Sequence, residues 1–189
     1  MTQKYNRLWI YTLLGIVAGT LVFQLLHFTE HGVQLLEWMK GFREMPYMTQ
    51  WATDLAWLLG EWMLPGEEDW HRVFHVGVEL LHLIGNGIFM VGCVGLWYLL
   101  KNKLSKWACI FQGIHLYEHV SLFFSAYYLH KSVGMSTLYG YFQPFGTDLY
   151  AQQSLTTFRV WWHFIANLIP TLLVVLAVWY GWKKLRNYV

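Results

Sequence analysis

The chain has 189 residues, of which 56% are hydrophobic, 19% aromatic and 13% charged, with a formal net charge of +2. Soluble domains carry about 25% charged residues, so this composition excludes a disordered chain, a disulfide scaffold and an ordinary soluble enzyme. The basic residues sit at the ends of apolar runs and form no groove-sized patch, which argues against nucleic-acid binding.

Four runs approach the ~20 apolar residues that cross a bilayer. The first, 8–27, is uncharged and follows Lys4 and Arg7. It reads as a retained span and not a signal peptide, because no A-x-A-like site follows and its apolar core exceeds the usual ~7–15 residues. The segment 28–72 then carries eight acids and three bases. Val33, Leu36, Trp38 and Met39, followed by Trp51, Leu55, Leu58, Leu59 and Trp62, recur at helical spacing. This predicts one or two short amphipathic helices on the outer face, with Pro46 and Pro65 bracketing the second. They would serve as a lid or as a docking surface.

The second span is 74–100, interrupted by His75, Glu79, His82 and Asn86. Lys101, Lys103 and Lys106 connect it to the third, 107–129, which holds His115, Glu118 and His119. An aromatic, Gly-rich outer loop, 130–159, leads to the fourth span, 160–182, with His163, Asn167 and Pro170. Lys183, Lys184 and Arg186 close the chain. The sequence thus predicts a single all-α membrane domain: a bundle of four transmembrane helices with short amphipathic helices capping the outer face. The Lys/Arg bias puts both termini in the cytoplasm and segment 28–72 in the periplasm of a bacterial inner membrane. Cys93 and Cys109 have no CxxC partner and read as packing residues. No internal repeat or low-complexity tract is read.

Nine histidines (27, 31, 71, 75, 82, 115, 119, 130 and 163) avoid the cytoplasmic end. On the second span His71, His75, Glu79 and His82 form one stripe, continued by Asn86. Its E-x-x-H unit, Glu79 to His82, is the element that carboxylate-bridged di-iron bundles use. His115, Glu118 and His119 share a face of the third span, and His163 and Asn167 a face of the fourth. Gln24 lies at a similar depth on the first. A buried carboxylate needs a partner, yet Glu79 and Glu118 have no cation within the spans. Arg72 and Arg159 lie at the outer edge. Imidazole with carboxylate suits Zn, Cu, Fe or Ni.

These positions predict a metal site in the outer half of the bilayer, built from Glu79, His82, His119 and His163, then His115, Glu118 and His75. Asn167, Asn86 and Gln24 would lie behind them. The boxes HRVFH and HLYEH lack the HH pairs of membrane desaturases, so no family is assigned from them. The expected cofactor is a transition metal, copper or iron, with haem as the alternative. The expected function is a membrane redox or metal protein that oxidises a hydrophobic substrate or transfers electrons. The alternative is a small non-catalytic accessory subunit of a larger membrane complex, ligating haem or a pigment. Expected partners are the lipid bilayer and other membrane subunits or a second copy. A transporter is the weaker reading, since the sequence has no pair of broken helices in matching halves.

Overall fold

A computed structural model describes residues 7–41, 48–137 and 148–186. Lys4, the break expected at Pro46 and the centre of the aromatic loop 130–159 lie outside the described residues. Five helices account for nearly all of the rest: α1 (Arg7–Met39), α2 (Gln50–Met63), α3 (Trp70–Leu100), α4 (Lys103–Leu129) and α5 (Asp148–Arg186). No strand occurs among the described residues.

The first correction concerns α1. It does not stop at residue 27 but continues through Met39, 33 residues or about 50 Å at 1.5 Å per residue. The first piece of the expected outer amphipathic segment is therefore the upper part of α1. Its buried line runs through Ile10, Val17, Gln24 and His31, seven residues apart, so one face meets the bundle from end to end. The second expected piece is present as α2.

Small residues set the approach of α2 to α3. Ala52, Ala56 and Gly60 are buried at four-residue spacing. A Cβ on Gly60 would overlap the Val73 carbonyl, and one on Gly77 would overlap the Ala56 carbonyl, so the two backbones nearly touch. The Asp69 carboxylate caps α3 by accepting from the His71 and Arg72 amides. At its other end Lys101 takes the left-handed conformation, φ 51°, and Asn102 caps α4 by accepting from Ser105 N at 2.8 Å. The helices α3 and α4 are thus joined by a two-residue turn and lie antiparallel.

Around the bundle, α1 packs on α3, α3 on α4, α4 on α5, and α5 back on α1, with α2 outside α3. The end that holds the α3–α4 turn has an apolar core of Phe89, Cys93, Leu96, Ala108, Val174 and Ala177. The Lys184 ammonium donates to the Leu100 carbonyl there, placing the C-terminal end of α5 beside that turn. Both cysteines are free.

Three helical segments are long and apolar enough to cross a membrane: Leu8–Met39, Trp70–Leu100 and Arg159–Leu185. The 27 residues of α4 are less apolar, for a local reason. Gln112, His115, Glu118, His119 and Ser125 are buried on its inner face, while Ile114, Tyr117, Phe124 and Tyr128 are exposed on its outer face.

The α2–α3 contact predicts that Gly77→Ala lowers stability by about 1–3 kcal/mol. Gly87→Ala, with open space around its Cβ, should not. Chemical unfolding of the two variants in detergent checks this.

Candidate metal centre

Above the apolar core, six imidazoles converge: His27 and His31 from α1, His82 from α3, His115 and His119 from α4, and His163 from α5. They form two groups of three, His27–His31–His82 and His115–His119–His163. Within each, one ring nitrogen per residue lies within 4.8 Å of the others. The Nε2 atoms of His27 and His31 are 3.1 Å apart, and so are those of His115 and His119. Two nitrogens on one tetrahedral ion with ~2.0–2.1 Å bonds would be about 3.3–3.4 Å apart.

Hydrogen bonds fix which nitrogen faces inward. His82 Nδ1 donates to the Val78 carbonyl at 2.8 Å, and His163 Nδ1 donates to the Arg159 carbonyl at 2.9 Å. His31 Nδ1 donates to Gln34 Oε1 at 2.8 Å. A neutral imidazole that donates through Nδ1 carries its lone pair on Nε2. Three helices therefore each present an oriented Nε2 lone pair, and that of His163 is buried with no hydrogen-bond partner. Metal-ligating histidines are typically held in this way.

An amide layer supports the rings from below. Gln24 Nε2 donates to Asn167 Oδ1 at 2.9 Å, and Gln112 Nε2 donates to Asn86 Oδ1 at 3.0 Å. Asn86 and Asn167 in turn donate to the carbonyls of His82 and His163. All four amides are fully buried.

Of the residues the sequence points to, His82, His115, His119 and His163 come together, with Gln24, Asn86 and Asn167 directly beneath. Glu79, Glu118 and His75 are engaged elsewhere. Arg159 reaches inward to the fully buried Glu79 carboxylate, Nη2 to Oε1 2.5 Å. The expectation that Glu79 lacks a cation is thereby corrected. Ser132 also donates to Glu79 at 2.7 Å, and His75 Nε2 lies 3.4 Å from it. Glu118 accepts from the amides of Met135 and Ser136 and from the Ser136 hydroxyl, at 2.5–2.8 Å. It anchors the helical turn that begins at Met135.

His27 and His31 join the cluster unforeseen, and the signal that would have found them is a repeat. QLLHFTEH at 24–31 and QGIHLYEH at 112–119 share Gln, His, Glu and His at the same four positions. HLIGN at 82–86 and HFIAN at 163–167 share His, Ile and Asn. The absence of an internal repeat is corrected accordingly. The glutamates correspond as well: Glu30 accepts from the Thr49 amide at 2.8 Å, at the start of α2, as Glu118 does for the turn after α4.

The halves differ in access. A cavity of about 60 Å³ lined by Phe23, Leu26, Trp51 and Leu81 borders His27 and His82. His115, His119 and His163 are buried.

The full chain, residues 1–189, matches a family of unknown function, DUF6008. The chain belongs to DUF6008. Neither a curated protein nor a solved structure matches it.

The buried ion pair makes its own prediction. Arg159→Met removes the guanidinium from the buried Glu79 carboxylate and should cost about 3–5 kcal/mol, whereas Arg159→Met with Glu79→Leu should recover most of the loss. A double-mutant cycle by unfolding in detergent measures this.

Proposed function

We propose that this chain is a membrane-embedded metal protein whose histidine cluster holds a transition metal for redox work. The observation that carries the reading is the set of Nε2 lone pairs on His31, His82 and His163, each oriented by an Nδ1–H bond within its own helix. A packing cluster has no need to leave His163 Nε2 buried without a partner, an arrangement that costs about 1–3 kcal/mol. A cation at that point removes the cost.

The donor set favours copper over iron. The nearby carboxylates are engaged away from the rings, Glu79 through Oε1 with Arg159 and Glu118 with backbone amides, which argues against a carboxylate-bridged di-iron centre. The remaining donors are neutral imidazoles, which suit Cu, Zn, Ni and Fe but not Mg or Ca. Close ring packing argues against haem: the facing pairs His31–His163 and His82–His119 stack with centroids 5.7 and 5.5 Å apart, too near for a porphyrin plane between them. A bound copper ion would supply one-electron chemistry. The cavity beside His27 and His82 is walled mainly by apolar side chains, with Glu30 at its edge, and suits a small, largely apolar molecule arriving from the bilayer.

In this reading α4 is a fourth span, its low hydropathy arising from the inner face alone. The lysine-rich α3–α4 turn faces the cytoplasm of a bacterial inner membrane, the termini lie on that side, and the cluster opens toward the periplasm. The aromatic outer surface of the helices, including Trp97, Tyr117, Tyr128 and Trp179, contacts lipid or neighbouring subunits.

Elemental analysis of the protein purified in detergent tests the reading. The parent should carry copper, His82→Ala and His163→Ala should carry at most half as much, and His71→Ala, outside the cluster, should match the parent. Equal loads in all four, or none in any, would overturn it.

A further inference from the structure

The two groups of three histidines are alike in more than number. The His27–His31 centroid distance of 4.5 Å corresponds to 4.8 Å for His115–His119. His27–His82, 5.5 Å, corresponds to His115–His163, 5.9 Å. His31–His82, 5.8 Å, corresponds to His119–His163, 5.1 Å. The contacts between groups obey the same exchange. His31 stacks on His163 at 5.7 Å and 9°, and His119 stacks on His82 at 5.5 Å and 11°. The Nδ1 bonds match too, since the acceptors Val78 and Arg159 each lie four residues before their histidine. So do the glutamine–asparagine pairs, each of which leaves a glutamine Oε1 buried and unpartnered. One operation that swaps α1 with α4 and α3 with α5 accounts for all of these correspondences.

We infer that the cluster is a two-ion centre of equivalent half-sites, one ion held by His27, His31 and His82 and the other by His115, His119 and His163. The inference rests on the metal-binding reading above and adds the number of ions and their division between repeats. Each half-site offers three neutral imidazoles and so leaves a fourth coordination position open, as in sites that bind an exogenous ligand. Because rings of one half stack on rings of the other, the two ions lie close enough to interact magnetically. A single shared ion would have no use for the second 3.1 Å Nε2 pair, nor for a duplicated supporting layer beneath it.

The full chain in detergent, stripped with a chelator and titrated with Cu(II), tests this. The parent should retain two copper ions per chain after desalting. His31→Ala and His119→Ala, one in each half, should each retain one. Electron paramagnetic resonance supplies a readout that needs no variant. Well below one equivalent the parent should give mainly the spectrum of isolated Cu(II), and at two equivalents the signal should be lost or broadened by spin coupling. One ion per chain, with either substitution abolishing it, would overturn the two-ion inference and leave the metal reading standing. Two ions without spin coupling would overturn their placement side by side. No copper retained by the parent would overturn both readings.

Discussion

Six imidazoles and four carboxamides inside an apolar bundle impose the constraint on which the rest of the structure depends. A polar group removed from water must find a partner or it destabilises the fold, and here these ten polar side chains crowd neighbouring levels of the bundle. The solution is layered. The amides of Gln24, Asn86, Gln112 and Asn167 pair across helices below the rings. Backbone carbonyls one turn away take the Nδ1 protons of His82 and His163. Above the rings, Glu30 and Glu118 leave the cluster altogether and accept from the backbone amides of the segments that follow their helices. What remains unsatisfied is a small set of buried atoms, His163 Nε2 among them, and it is there that the proposed metal would bind.

The repeat accounts for how so demanding an arrangement is met in a short chain. A helix pair bearing Q-x-x-H-x-x-E-H on one helix and H-x-I-x-N on the other cannot shield its polar face alone. Two such pairs set face to face complete the hydrogen bonds of each other, since Gln24 of the first half reaches Asn167 of the second and Gln112 of the second reaches Asn86 of the first. The two halves differ around this core. The first half carries α2 and the cavity at His27 and His82, and the Glu79–Arg159 pair, which has no counterpart in the repeat, ties α3 of the first half to α5 of the second.

Much of this was legible in the sequence. All-helical architecture, apolar spans and the convergence of His82, His119 and His163 follow from composition and spacing. Three things did not, each for a physical reason. Hydropathy lost α1 at His27 because the next turns carry polar residues that face inward, which an average over all faces cannot distinguish from a helix end. The same averaging lowers α4 below its neighbours. Glu79 reads as lacking a cation within the spans because Arg159 stands at the outer edge of another helix, yet a long guanidinium side chain can reach back into a bundle as readily as out of it. The repeat escaped notice because its eight-residue motif matches at only four positions, all of them polar, while the intervening apolar residues diverge freely against lipid and core. Comparing polar positions alone would have exposed it and brought His27 and His31 into the site.

The most direct measurement of the central claim is the X-ray absorption spectrum of the copper-loaded protein. The account predicts a shell of nitrogen scatterers at ~2.0–2.1 Å with the multiple-scattering pattern of imidazole rings and no sulfur. A first shell dominated by thiolate or thioether sulfur, or by oxygen without imidazole scattering, would contradict it.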